Sequence, residues 1–344
     1  MGSLNRLIIV LFFAGLAACK NTPNSDYPNT PQAAANSDFR VEILHPDGEK
    51  IISSEAQIEV IAEGHDWTEG PLFVPAGNFL LYSDIPRNSI YRWKEGEGSS
   101  LYLKPSGSTG LIEREGQPGS NGLLLNAEGR LVLCQHGDRR VALGGMPNED
   151  IKADYHTLAD KFQGAQLNSP NDGDFHSNGD LYFTDPPYGL DQNMEDEAKE
   201  LDFQGVYRLK PTREVDLVSD ALKYPNGIAL SHDEKKLYVA NSGVEKLYWM
   251  VFELDENGLA KSNKIFYDVS EYKGQNKGAP DGLKVNRNGV IFATGPEGVW
   301  IFNEEAEVLA RIYTGQKTSN CALSADEKQL FMTADDFVLR IPLL

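Results

Sequence analysis

The chain has 344 residues, is 40% hydrophobic and carries a formal net charge of −19. So acidic a protein lacks the basic surface that nucleic acid or an anionic lipid face requires, and both are excluded as partners. Three cysteines in this length make no disulfide framework, which leaves the surplus of carboxylates as a feature compatible with a cation site.

The N-terminus reads as an export signal, with Asn5-Arg6 followed by the apolar run Leu7 to Leu16 and then Leu16-Ala17-Ala18-Cys19. A run of about ten apolar residues is too short for a bilayer, which takes roughly 20, and it ends in the small residues of a lipobox. Residues 1–18 are therefore expected to be removed, leaving Cys19 as a lipidated N-terminus. This predicts an extracytoplasmic bacterial lipoprotein on the periplasmic or cell-surface face of a membrane, touching lipid through that anchor alone. Residues 19–38, rich in Pro, Asn, Ser and Ala, read as the lipidated Cys and a flexible linker. Cys134 and Cys321 sit beside apolar runs and are expected to be buried free thiols.

Residues 39–344 contain an internal repeat. Six units begin at Glu69-Gly70, Asn121-Gly122, Asn171-Asp172, Asn226-Gly227, Asp281-Gly282 and Asn320-Cys321. They recur at about fifty residues, with the last two closer together. Each leading pair runs into a short apolar strand, a polar turn and a second strand. Further strand-like pieces fill the gaps at Ser89 to Trp93, Gly205 to Leu209, Lys246 to Leu254 and Gly298 to Phe302. Six such sheets around an axis predict an all-β, six-bladed β-propeller with a central metal site. The short last unit is expected to borrow a strand from Phe39 to Leu44 or from Ile58 to Glu63.

Equivalent positions of successive blades lie on a ring, so the six polar leading residues should converge at one mouth of the channel. Carboxylates and amide oxygens gathered there would repel or stay unpaired without a positive partner. Glu69 and Asp281 supply the two negative charges that match one divalent ion, and Ca²⁺ suits carboxylate and amide oxygens, whereas Zn²⁺ prefers His or Cys. His136 ends the second strand of its unit and is a candidate ligand contact. There is no Gly-x-Ser-x-Gly elbow, P-loop or dinucleotide fingerprint, which disfavours serine hydrolases and nucleotide enzymes.

Across residues 60–340 the chain resembles the gluconolactonase family that includes regucalcin, and its longer blocks look most like bacterial gluconolactonases. The segments that carry the likeness are Glu69-Gly-Pro, Leu167-Asn-Ser-Pro-Asn171-Asp172, Phe183-Thr-Asp-Pro-Pro-Tyr-Gly189, Pro225-Asn226-Gly and Asp281-Gly-Leu. The resemblance implies one metal, often Ca²⁺ and sometimes Zn²⁺, Mg²⁺ or Mn²⁺, on positions matching Glu69, Asn226 and Asp281. Asn171 would be a fourth ligand or a substrate contact. Where regucalcin-like members carry an Arg that grips sugar hydroxyls, this chain has Ser169.

These readings lead to a metal-dependent hydrolase of a small sugar lactone, working as a monomer or weak dimer. Asp281 is the expected general base, or else a direct nucleophile, while Asn121 and His136 orient the substrate. A metal-dependent phosphotriesterase or arylesterase, and a non-catalytic propeller binding carbohydrate or protein, are the alternatives.

Overall fold

A blade's middle strands are covered on both faces by neighbouring blades, so their sequences should be continuously apolar rather than alternating. Phe79–Asp84, Leu131–Gln135 and Leu181–Asp185 are buried at every residue. A computed structural model describes residues 39–110, 116–243 and 245–344. The expected signal peptide, the expected lipidation at Cys19 and the expected linker fall on residues 1–38, outside the described residues.

Among the described residues the strands form six antiparallel sheets of four or five strands, plus one two-stranded ribbon, Lys161–Phe162 with Ala165–Gln166. Blades 1 to 6 begin with the inner strands Thr68–Val74, Ser120–Leu125, Gly173–Phe175, Pro225–Leu230, Leu283–Val285 and Thr318–Leu323. This is the six-bladed propeller expected from the repeat. Both candidate closing strands are used, in different blades. Glu59–Ala62 pairs with Phe337–Pro342 to complete blade 6. Arg40–Ile43 instead adds a fifth strand to blade 5, in register with Val308–Tyr313.

The core lies between the blades. Between blades 4 and 5, for example, Trp249, Phe266, Trp300 and Phe302 pack edge to face and stacked, with ring centroids 5.4 to 6.1 Å apart. Cys134 and Cys321 are buried and unpaired, as anticipated.

Nearer the axis, hydroxyls take over from apolar packing. Ser83 donates to the Asn121 carbonyl (2.9 Å), Thr184 to that of Asn226 (2.6 Å), Thr294 to that of Ser319 (2.9 Å) and Ser319 to that of Thr68 (2.7 Å). Each bond runs from one blade to the inner strand of the next.

Candidate active site

The leading residues of the repeat sit where the inner strands are irregular. Register shifts fall between Glu69 and Leu72, Ser120 and Leu123, Pro225 and Ile228, and Thr318 and Asn320. A bulge re-aims a side chain, and here it turns polar groups towards the axis. In blades 3 and 5 the same height is held by Asn171, whose N–H donates to the Thr184 carbonyl at 2.9 Å, and by Asp281, bonded likewise to Thr294 at 3.0 Å.

The residue after the leader explains the Asn-Gly and Asp-Gly pairs. These glycines lie where adjacent inner strands touch, not in turns. A Cβ on Gly122 would stand 2.8 Å from the Asn171 carbonyl oxygen and 2.9 Å from the Asp172 Cα. Gly122 N–H donates to that Asn171 carbonyl at 2.7 Å, and Gly282 does the same to Ser319 at 2.7 Å.

Glu69, Asn121, Asn171 and Asn226 are all buried. Burial, and then the nearby Asp172 charge, push the Glu69 carboxyl up to about 8 against the pull of the Gly70 N–H and the Asn320 and Asn121 amides. Asp281 is raised well above the usual carboxylate range by burial, then by Glu69 and Asp172. Three acids thus press on one another at the mouth. The Oδ1 atoms of Asn121 and Asn226 are buried with no partner, and no described hydrogen bond engages the Asn171 amide.

Among the described residues no three His, Cys, Asp or Glu side chains gather as a metal cluster, so a cation held here has to draw on amides as well. Mutually repelling carboxylates beside partnerless amide oxygens form an all-oxygen donor set that fits a hard divalent cation.

Several residues join this site that sequence reasoning did not assign to it. The Asn226 amide nitrogen donates to Ser242 Oγ at 2.9 Å, and Ser242 donates to the Pro280 carbonyl. That leaves the Asn226 oxygen facing the site. Asn320 donates to Asp172 Oδ2 at 3.1 Å, and Lys284 Nζ lies 3.8 Å from the same oxygen, further down the channel. Tyr188 stacks on Tyr224 with centroids 6.0 Å apart. Burial, with the Asp281 charge next, keeps the Tyr188 phenol protonated, while the Ser242 hydroxyl pulls the other way. Asn320 was visible as a ring member and Tyr188 lay inside a segment that carried the resemblance; Ser242 and Lys284 had no such signal.

The other expected residues divide. Ser169 is committed to structure, donating to the Pro186 carbonyl at 2.5 Å and accepting from Gly189 N–H at 2.9 Å. His136 is fully buried and neither ring nitrogen has a partner, so burial pushes it down to about 3. From Asp281 the site opens into a cleft of about 500 Å³ lined by Trp67, Ser242, Tyr272, Lys273 and Lys317.

The sequence profile of the SMP-30/gluconolactonase/LRE-like region matches residues 67–336. The chain is 38% identical over 308 residues to a gluconolactonase of Zymomonas mobilis, covering 88% of this chain and 85% of that one. Among solved structures, a gluconolactonase of Xanthomonas campestris superposes with a TM-score of 0.78 at 27% identity, over 92% of this chain and 99% of that one. A regucalcin of Agrobacterium tumefaciens, 18% identical over 84% of this chain and 95% of its own, shares the fold with a TM-score of 0.64.

Proposed function

The chain belongs to the SMP-30/gluconolactonase/LRE-like family, and from that premise we propose that it hydrolyses a small sugar lactone at the mouth of the propeller. The observation that carries this reading is the meeting of Glu69 and Asp281 with the partnerless Asn226 oxygen beside an open cleft. Glu69, Asn171, Asn226 and Asp281 would hold one divalent cation, with Ca²⁺ favoured by the hard oxygen donors. When bound, the ion supplies Lewis-acid polarisation of the lactone carbonyl.

The remaining chemistry belongs to the chain. Asp281 takes a proton from a water molecule at a carboxylate oxygen, and the water oxygen adds to the carbonyl carbon. The ring C–O bond then breaks and the leaving alkoxide takes up the proton, giving a hydroxy acid. Tyr188, still protonated, remains a neutral hydrogen-bond donor at the mouth. The burial of Glu69 and the Asn amides keeps bulk water from competing for these positions.

The test is a panel of lactones and phosphotriesters on metal-defined protein, followed by acid release. Lactone hydrolysis that disappears with chelator and returns with Ca²⁺ is expected; turnover of phosphotriesters alone would replace this reading with the esterase alternative. The lipobox ending at Cys19 supports placing the enzyme outside the cytoplasm on a lipid anchor, which palmitate labelling of a Cys19→Ser variant checks.

A further inference from the structure

The two connections that flank blade 5 each bring a lysine to the cleft that opens from Asp281. Lys273 follows the short helical turn Ser270–Tyr272, between the outer strand Ala260–Asp268 of blade 4 and Asp281. Lys317 directly precedes the inner strand of blade 6. Its turn is braced, because the Thr314 and Thr318 hydroxyls bond at 2.7 Å and Thr314 also donates to the Gln316 carbonyl at 3.1 Å. The connections meet beside the cleft, where a Cβ at Gly278 would stand 3.8 Å from the Lys317 Cα.

Lys273 is exposed and Lys317 half-buried, and among the described residues neither ammonium has an ion-pair or hydrogen-bond partner. Lys317 also lines an adjoining basin with Arg40, Lys277, Glu297 and Asp335. There the cations are engaged, since Lys277 binds Glu297 at 2.6 Å and Arg40 lies over the Tyr313 ring at 3.5 Å. In a chain of net charge −19, two unneutralised cations at one cleft create a local field opposite to that of the whole molecule. The only acid lining this cleft among the described residues is Asp281 itself.

The other walls are apolar. Trp67, Leu247 and Tyr272 line the cleft, and Tyr272 is held edge-on to Trp300 at 6.1 Å and by an Arg311 bond to its hydroxyl at 3.3 Å. The volume of about 500 Å³ falls within the roughly 300–1,000 Å³ of pockets for drug-sized ligands. It leaves room for a substituent beyond one lactone ring. An ammonium only donates, and its strongest partners are ionised oxygens, as in a carboxylate or a phosphate.

We propose that Lys273 and Lys317 form an anion-accepting subsite, and that the enzyme prefers lactones carrying a carboxylate or phosphate substituent away from the ring carbonyl. The proposal rests on the lactonase reading above and adds a charge requirement to it.

The test uses two matched pairs of substrates on calcium-loaded protein. One is a δ-valerolactone bearing a carboxypropyl arm, with the methyl ester of that acid; the other is the phosphate monoester of D-glucono-δ-lactone, with the unphosphorylated lactone. In wild type at least one anionic member should exceed its neutral partner in kcat/KM by about tenfold, chiefly through KM. Which pair shows the preference identifies the anion. Lys273→Gln and Lys317→Gln should each shrink that ratio roughly fivefold, and Lys317→Arg should keep most of it. No preference in either pair, or one that survives both Gln changes, overturns the proposal. Wild type that opens none of the four lactones overturns the lactonase reading instead. Should the variants fail to fold, added salt decides on wild type. Screening should lower kcat/KM for the preferred anionic lactone relative to its neutral partner, whereas repulsion by the net charge alone would raise it; a flat or rising ratio rejects the subsite.

Discussion

The side-chain amide of Asn226 donates to the Ser242 hydroxyl, which donates in turn to the Pro280 carbonyl next to Asp281. One serine therefore orients an amide from blade 4 and ties it to the backbone carrying the acid of blade 5. Supporting groups of this kind are commonly worth a factor of about 10–100 in metal affinity. Ser242→Ala should weaken divalent-ion binding by about that factor in calorimetric titration with little change in melting temperature, and Ser242→Thr should restore it.

Asp281→Asn keeps the shape of the side chain and removes its basicity. The variant should fold with a melting temperature close to wild type, and should lose roughly a thousandfold or more in lactone turnover, since no other side chain described at this mouth has been placed to take the water's proton. Activity within about tenfold of wild type would remove Asp281 from the base's role.

Without a cation, pH should act on stability in an unusual direction. Glu69 is held up to about 8 in the folded protein, whereas in the unfolded chain it titrates near 4.5. Between those values the folded state binds more protons than the unfolded one, so stability falls as pH rises. Asp281 is raised as well and acts in the same sense. Chelator-treated protein should melt on the order of 5 °C lower at pH 8 than at pH 5.5. Added Ca²⁺ should erase the difference, because the ion replaces the protons.

Gly122→Ala tests the contact between inner strands. The new methyl would meet the Asn171 carbonyl and the Asp172 backbone, which cannot yield without disturbing the ring. A loss of about 3 kcal/mol is expected in denaturant unfolding. A similar change at Gly96, where a Cβ would meet nothing within 4 Å but would sit at a φ of +77°, should cost about 1 kcal/mol, from backbone strain alone.

Lys284→Met removes the ammonium 3.8 Å from the buried Asp172 carboxylate. Stranding that charge in the channel should cost on the order of 2 kcal/mol, read as a lower melting temperature. A Lys284→Met, Asp172→Asn double variant should regain most of it, which a double-mutant cycle would show.

The repeat made the ring legible because a polar residue just ahead of or within the inner strand recurs once per blade, and so Glu69, Asn121, Asn171, Asn226, Asp281 and Asn320 could be found by spacing alone. Closure was legible as a need, though both candidate strands turned out to be used, one to complete blade 6 and one to widen blade 5. Ser242 and Lys284 were hidden for a different reason. Their roles depend on which residue of another blade lies opposite, and that is fixed by register across a sheet, not by sequence spacing. Ser169 shows the limit of single positions: its hydroxyl is spent inside the turn it supports.

The clasp of blade 6 sets the order in which this molecule can be built. Glu59 faces Arg340, and the two side chains bond at 3.0 Å across 281 residues of chain. Blades 1 to 4 are meanders of neighbouring strands and can form locally as the chain emerges. Glu59–Ala62 must instead wait with an open hydrogen-bonding edge until Phe337–Pro342 has been made, and joining such distant segments is the slow, entropically costly part of folding. During that interval the unpaired strand, like Arg40–Ile43 awaiting Val308–Tyr313, offers an open edge for pairing with another chain.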